Sequence, residues 1–540
     1  MQVIIAFAPK IALSFFVLLI FYVLIFIGRR PKGCPPGPPT LPVIGNLHQL
    51  PRKDTHLAYQ RWSKEYGPIF SLQLGQQTVI VLARGDMIKK IVDKRSSNYA
   101  DRPSLYIQDV WEHSRIIMRG YDNLWKIERK LYHMFLNSNV AAKYIPYQSL
   151  ETKKLCFDLL EDPASFVNHI GRTTTSIATS MTYGFRVNSY DSPALQKLFE
   201  NAHGFFKLIH GSQYLDWFPM LRGVVKLLPV SLNPFATKAT RIYHAERKHF
   251  YNLFEEAKQR SEKPGPLPNF VSDIVRAQQT WKDPSTTQLL TDHAAAYIAG
   301  ISFEGGADTS RNTLIGFIKA MALFPDAQRA AQRELDKVVG DKLPEFEDFD
   351  NLPYIRCVIK ESLRWMPTAI SGAVPHAARN ADNVDGYYIP AGATVVLAVW
   401  SCNNDELQFE DPRVFNPARH NAELSLGQAA TAADVRNRDS WTFGAGRRIC
   451  PGLHVAEKTL FLAIARILWA FDISPAKDES GKPIDIERDA VTQSIAACPL
   501  PFKCEITARN EQRAQAVHAS WEEAQSLLNT DGNYKVNILE

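Results

Sequence analysis

FGAGRRICPG, Phe443 to Gly452, sets one cysteine among three glycines and two arginines, immediately before an apolar run from Val455 to Phe471. Glycine reaches backbone conformations closed to other residues, so Gly444, Gly446 and Gly452 are expected to let the chain turn its amides toward the sulfur. The N–H groups of Gly452 and Leu453 open the following helix, where unpaired donors and the positive end of the helix dipole favour an anion; Pro451 has no N–H to offer. A cysteine so surrounded is held as a thiolate, a soft ligand with affinity for iron. A cysteine without such company is ordinarily a small buried apolar side chain. What separates the two readings is the joint pattern of Phe443, Gly446, Arg448, Cys450 and Gly452, which this composition would produce in roughly one chain in ten thousand.

The rest of the chain supplies the setting. Its 540 residues are 45% hydrophobic, 22% charged and 11% aromatic, the composition of a folded protein with a large core. A net charge of +6, from 62 basic and 56 acidic residues, is too small and too dispersed to suggest nucleic-acid binding. Cys34, Cys156, Cys357, Cys402, Cys450, Cys498 and Cys504 include no CxxC pair, which indicates a reducing compartment with neither a disulfide framework nor a zinc site.

Ile11 to Gly28 carries no charge and is followed by Arg29, Arg30 and Lys32, with only Lys10 before it. That length and flanking charge predict an N-terminal membrane anchor helix over residues 1–28, with everything after it on the cytosolic side; a cleaved signal peptide would be shorter and end in small residues. CPPGPPTLPVIGN, within a basic and proline-rich linker over 29–46, is expected to be a stiff extended connector. One large domain follows over 47–510, since no repeat or second linker interrupts it. Its β-rich runs are Ile69 to Leu74, Thr78 to Leu82 and Thr394 to Val399. Helical periodicity marks Leu124 to Phe135, Tyr243 to Arg260, Thr291 to Phe324, Ala327 to Val339, Tyr354 to Trp365 and Val455 to Phe471. The fold class is therefore mainly α with small β-sheets. A polar, helical tail over 511–540 has no role legible from its residues.

Two further motifs carry chemistry. WKIER places the indole of Trp125 and the guanidinium of Arg129 one helical turn apart, an arrangement suited to gripping a carboxylate. In GGADTS, Gly305 and Gly306 let a buried helix pack closely, but Asp308 and Thr309 within an apolar helix need more than packing. A mid-helix threonine bonds back to a carbonyl and bends the helix, which with two glycines is expected to open a groove.

The pattern FxxGxRxCxG is that of the haem-ligand loop of the cytochrome P450 enzymes, and the sequence resembles that family from the anchor to about Asn510. The resemblance implies the cytochrome P450 fold, as a single haem domain behind a transmembrane helix, and haem b (iron-protoporphyrin IX) with Cys450 as the metal ligand. Trp125 and Arg129 then look like propionate ligands, Arg448, His376 in VPHAAR and Arg102 in DRP like further cofactor contacts, and Phe443 belongs to the cofactor loop. Glu361 and Arg364 of ESLR with Arg419 of FNPARH resemble the family's fold-locking triad. Alanine at 418 stands where the family usually has glutamate, so that network is expected to be less supported. Asp308 and Thr309 would relay protons.

The activity so implied is a monooxygenase placing one atom of dioxygen into a hydrophobic small molecule, by hydroxylation or epoxidation, with the other leaving as water. No nicotinamide- or flavin-binding motif is evident, so NADPH acts indirectly, through NADPH–cytochrome P450 reductase on the same membrane, with cytochrome b5 as a further donor. Lys126, Arg129, Lys130, Arg447 and Lys458 are the expected docking surface. By family position the substrate pocket is lined from 101–117, 296–305, 368–374 and 492–497. The chain most resembles fungal microsomal enzymes of secondary metabolism, which act on polyketides, terpenoids or alkaloids; this implies the endoplasmic reticulum membrane, a single-pass anchor and a cytosol-facing catalytic domain. The alternative is a P450-fold isomerase or dehydratase that uses no NADPH-derived electrons; relatives of that kind can dispense with an acid–alcohol pair such as Asp308 and Thr309.

Overall fold

Helix signals written in the sequence set the frame of the computed structural model, which describes residues 14, 24–227, 229, 233–262, 268–535 and 538–539. The expected anchor falls mostly outside these residues; among the described residues no helix is long and apolar enough to cross a membrane. In chain order the principal helices are α1 (Thr55–Tyr66), α2 (Asn123–Leu136), α3 (Ile145–Glu161), α4 (Phe166–Tyr183), α5 (Pro193–Trp217), α6 (Met220–Leu227), α7 (Pro234–Ser261), α8 (Phe270–Thr280), α9 (Asp292–Leu323), α10 (Pro325–Val338), α11 (Pro353–Trp365), α12 (Leu453–Ala470) and α13 (Glu511–Gln525). Every helix expected from periodicity is present. Proline stands at the first turn of α5, α7, α10 and α11, where its missing N–H costs nothing.

The long helix α9 starts where the Thr291 side chain accepts from the Ala294 N–H at 3.2 Å and ends at the residues before Pro325. It buries Ala294 to Ile301 and Asn312 to Ala322 almost without interruption, as a helix hydrophobic all round must. Its closest partner is α4, and α7 and α12 also pack on it.

One sheet has the order β1–β2–β6–β3, built from β1 (Ile69–Leu74), β2 (Gln77–Leu82), β3 (His376–Ala377) and β6 (Thr394–Leu397); β4 (Asp382–Val384) pairs with β5 (Tyr387–Ile389), and β7 (Phe471–Pro475) with β8 (Cys504–Ala508). β1 and β2 are antiparallel, β2 and β6 parallel with Val79 opposite Thr394, and β3 antiparallel to β6 with His376 opposite Val395. The strand expected to reach Val399 stops at Leu397, because residues 399–403 turn into a short helix.

Both ends of the domain pack onto its body. The proline-rich connector lies on β1, with Ser71 donating to the carbonyls of Pro35 at 2.6 Å and Pro36 at 2.8 Å, and Arg30 to that of Pro38 at 2.7 Å. Its prolines supply carbonyls that the sheet edge uses, which composition alone does not reveal. The tail is not a separate element. Val517, Trp521 and Ala524 of α13, with Leu528 and Tyr534 beyond it, are buried in the same core as the domain, each large side chain worth about 1.5–3 kcal/mol. Tyr534 bonds to Ser180 of α4 at 2.7 Å, and Arg186 and Asn188 donate to the carbonyls of Gly532 and Asp531, both at 2.6 Å.

At the centre of the second core Glu361 is fully buried and accepts both arms of Arg364 at 2.7 Å, with Arg419 at 3.3 Å. Beside Ala418, buried His420 bridges Glu361 at 2.7 Å and Asp439 at 3.0 Å, and Lys360 pairs with Asp439 at 3.0 Å. Burial resists ionisation of Glu361, but the bonds from Arg364 and His420 win and hold its carboxyl down at about 2.

Candidate active site

The cysteine loop takes its shape from particular backbone angles. Gly444 and Gly446 have φ of +71° and +59°, and a Cβ at Gly446 would sit 2.3 Å from the Val92 carbonyl oxygen; both glycines are required. Gly452 departs from the expectation, with φ of −88°, a conformation open to any residue. Its contribution is its amide at the start of α12. The Cys450 N–H donates to the Phe443 carbonyl at 2.8 Å and closes the loop. Asp93 anchors it from outside, accepting from the Gly446 N–H and from Arg438, both at 2.6 Å, while Arg438 also donates to the Gly444 carbonyl at 3.0 Å. Neither residue was found from sequence, since Asp93 lies about 350 positions away with no motif around it. Burial raises the Cys450 thiol above its ordinary value, against the Gly452 N–H and the Arg129 guanidinium; a metal ion would be needed to displace its proton.

Cys450 opens into a cleft with about 1260 Å³ of empty space, part of it continuous with solvent. Trp125 and Arg129 of α2, Gly305, Gly306 and Thr309 of α9, and Phe443, Arg448 and Cys450 of the loop all line it, among aliphatic residues such as Ile116, Ile117 and Ile301. A Cβ on Gly305 would meet nothing within 4 Å, so the helix surface there faces room.

Three arginines border the cleft and spend their donors on carbonyls. Arg129 donates to Ile449 at 2.5 Å, Arg448 to Ala100 and Arg119 at 2.7 Å each, and Arg102 to Ile117 at 3.0 Å and Val374 at 2.6 Å. The Arg448 guanidinium lies 4.3 Å over the Trp125 ring. Burial lowers all three, Arg448 to about 10 and Arg102 well below its ordinary value. Buried guanidinium groups held only by carbonyls favour an anion beside them.

The remaining expected residues separate. His376 is not among the residues lining the cleft. It sits in β3 with Nδ1 against the Tyr99 carbonyl at 2.7 Å, and burial together with Arg102 keeps its ring neutral. Thr309 donates to the Gly305 carbonyl at 2.7 Å, the expected back-bond, yet α9 runs unbroken through it. Asp308 faces the other way, into a second cavity, 4.0 Å from Arg311; burial raises its carboxyl, Arg311 opposing. Of the expected substrate segments, Arg102, Ile116, Ile117, Ile301, Ser302 and Gly305 border the cleft, 368–374 does not, and Thr492, Gln493, Ser494 and Ala496 border the second cavity. In the expected docking surface Lys126, Lys130 and Arg447 are exposed, but Arg129 turns into the cleft and Lys458 is buried against Phe346.

Sequence reasoning also missed a buried charge cluster over the cleft wall. Arg115, beside Ile116 and Ile117, binds Glu304 of α9 at 3.0 and 3.1 Å and Glu246 of α7, which also accepts from Trp111 at 2.8 Å. Phe205 of α5 lies 3.8 Å under the guanidinium.

The family model for cytochrome P450 matches residues 35–500. This chain is a cytochrome P450. It is similar to a cytochrome P450 monooxygenase of Hypocrea virens, 42% identical over 516 residues covering 94% of this chain and 91% of the relative. A cytochrome P450 monooxygenase of Humicola fuscoatra is 40% identical, covering 94% and 93%, and one of Aspergillus ruber 38%, covering 94% and 93%. In fold it is similar to a zebrafish cytochrome P450 solved with abiraterone, with a TM-score of 0.66 and 21% identity over 85% of this chain and all of that one.

The family implies haem, and the P450 cleft fits it. Its donor set is a single thiol on an apolar floor, with guanidinium groups on one side that lack carboxylate partners, and its helix wall has a glycine facing empty space. Those groups match, in turn, an iron, two propionates and a flat macrocycle with room above it.

Proposed function

We propose that this P450 is a haem-thiolate monooxygenase of the microsomal type that oxidises a hydrophobic small molecule. The observation that carries the reading is convergence: the Cys450 thiol, the under-partnered Arg129 and Arg448, and the Thr309 hydroxyl all border one apolar cleft. Haem b bound there would supply the activation of dioxygen and the transfer of one oxygen atom. Cys450 would hold its iron, and Trp125, Arg129, Arg448 and Arg102 would hold its carboxylates; His376 would act only through Arg102 and Arg448, beside which it sits.

The chain's own contribution is to position and to move protons. The mostly aliphatic walls exclude water and favour an apolar substrate. Thr309 fixes its hydroxyl with the bond to Gly305, leaving the oxygen free to accept in the cleft. Asp308, which faces the second cavity from the neighbouring position and has its carboxyl raised by burial, is placed to take up protons for that hydroxyl. The two thus serve as successive stations across the helix.

Electrons would come from NADPH through a membrane-bound reductase, with cytochrome b5 as a second donor, docking where Lys126, Lys130 and Arg447 are exposed near the cysteine loop. Residues 1–28 would anchor the protein in the endoplasmic reticulum membrane with residues 29–540 in the cytosol. Supporting that attitude, Leu24, Ile25 and Phe26 are exposed together with Leu41 and Ile44, and so are Met220, Leu221, Val224 and Leu227 at α6. These patches meet around one turn, where the Gly28 N–H donates to Gly75 at 3.2 Å and the Gln76 N–H to Trp217 at 2.8 Å. The similarity to fungal monooxygenases supports a role in secondary metabolism. The test is turnover of a screened hydrophobic substrate under ¹⁸O₂ with reductase and NADPH: one labelled atom per product supports the reading. Conversion without NADPH and without label would instead indicate an isomerase or dehydratase.

A further inference from the structure

The second cavity lies on the far side of α9 from the cleft, between α5, α9 and the turn 492–502. It encloses about 1720 Å³ of empty space, part of it open to solvent, and the activity proposed above uses only Asp308 from its wall. Much of that wall is apolar: Phe199, Phe206, Ile315, Leu500 and Phe502.

The charged groups among this lining are predominantly basic, beside the neutral polar Asn312, Thr492, Gln493 and Ser494. Arg311 is mostly buried, with about 19% of its side chain exposed. Its contacts are weak for a guanidinium: a 3.3 Å bond to the side chain of its neighbour Asn312, a 4.0 Å approach to Asp308 and the ring of Phe199 at 5.5 Å. Its Nε is buried with no hydrogen-bond partner, pressed against Gly171 of α4, where a Cβ would come within 3.2 Å of it. The stem is thus fixed beside α4, and Arg311 forms part of the cavity wall. His203 and Lys207, one turn apart on α5, stand exposed at the mouth. Asp308 is the one carboxylate among the lining residues, so three basic side chains face a single acid.

A buried guanidinium gains most from a bidentate carboxylate, and Asp308 at 4.0 Å does not provide that geometry. We propose that this cavity is a second binding site, separate from the haem cleft, for an amphipathic organic acid. Its carboxylate would lie between Arg311 and the Lys207–His203 pair and its apolar body against Phe199, Phe206 and Phe502. The apolar lining distinguishes this ligand class from inorganic anions, and the basic mouth distinguishes it from neutral lipids.

The test uses the haem-loaded full-length enzyme with imidazole saturating the iron, so that the cleft is closed to competition. Decanoate, methyl decanoate and inorganic phosphate are titrated by calorimetry. Decanoate should bind, the ester and phosphate at least roughly tenfold more weakly, and Arg311→Gln should weaken decanoate by about tenfold or more, the loss expected for a charge-assisted bond. Arg311→Lys should recover part of that loss. Equal binding of acid and ester, binding by phosphate as tight as by decanoate, displacement of decanoate by imidazole, or unchanged affinity in Arg311→Gln would each overturn the proposal. The carbon monoxide spectrum of the variant, read in parallel, shows whether the haem site is intact and separates failure of this site from failure of the monooxygenase reading.

Discussion

Replacing Glu361 by glutamine tests the lock beneath the cysteine loop. The carboxylate is fully buried and accepts from both arms of Arg364, from His420 and from the Asn416 N–H at 2.9 Å. A carboxyl brought from its ordinary 4.5 to about 2 stabilises the fold by about 3 kcal/mol at neutral pH, at about 1.4 kcal/mol per tenfold change in proton affinity. Removing one partner of a buried ion pair costs about 3–5 kcal/mol by an independent route, so the two figures agree. Glutamine keeps the shape but turns an N–H₂ group toward donors, and the expected loss is about 3 kcal/mol. With a slope of about 3 kcal/mol per molar urea, the midpoint read by loss of the haem Soret band and by far-ultraviolet circular dichroism should fall by about 1 M at pH 7. Because the folded value is depressed, the contribution is present above about pH 4.5 and lost as pH falls toward 2. His420 runs the opposite way. Burial disfavours its charge, but the bonds to Asp439 and Glu361 prevail and raise its pKa. Its stabilisation is therefore full below its ordinary 6.5 and lost as pH rises through the folded value, and His420→Gln should cost more at pH 6 than at pH 9. A midpoint change below about 0.3 M for Glu361→Gln at pH 7, where about 1 M is expected, would refute this account of the lock.

Arg448→Gln should reduce retained haem per folded protein severalfold, because it removes the guanidinium stacked on Trp125; the ratio of Soret to protein absorbance checks this. Thr309→Ala should leave haem content unchanged but lower product formed per NADPH consumed by about a hundredfold, the low end for a positioned proton donor. Equal coupling would count against the relay. Truncation after Asn510 removes Trp521, Leu528 and Tyr534 from the core that also holds Ile177 and Met181 of the cleft wall, and should lower the temperature at which half the haem is lost by about 5 °C or more.

Much of this was legible because the signals are local. FxxGxRxCxG fixes the loop and its order before α12, and the periodic runs match α2, α9, α10, α11 and α12 to within a few residues; α7 begins nine residues earlier than expected, and α3, α4 and α5 were not read from the sequence. What stayed hidden depends on pairs far apart in sequence. Arg115 meets Glu246 and Glu304 across more than a hundred residues, and Asp93 meets Gly446 across more than three hundred; neither leaves a spacing pattern. The tail is different: Val517, Trp521, Ala524 and Leu528 recur at helical spacing, a core stripe that its polar average conceals. The separation of Asp308 from Thr309 follows from helix geometry, since adjacent residues point about 100° apart, yet which one meets the cleft depends on how α9 is rotated against α4 and α12.

The most direct test of the central claim is the absorption spectrum of the dithionite-reduced protein with and without carbon monoxide, for the native sequence and for Cys450→Ala. The account predicts a strongly red-shifted Soret band in the native protein and its disappearance in the variant. A band that survives in Cys450→Ala, or a folded native protein that binds no haem, would contradict it.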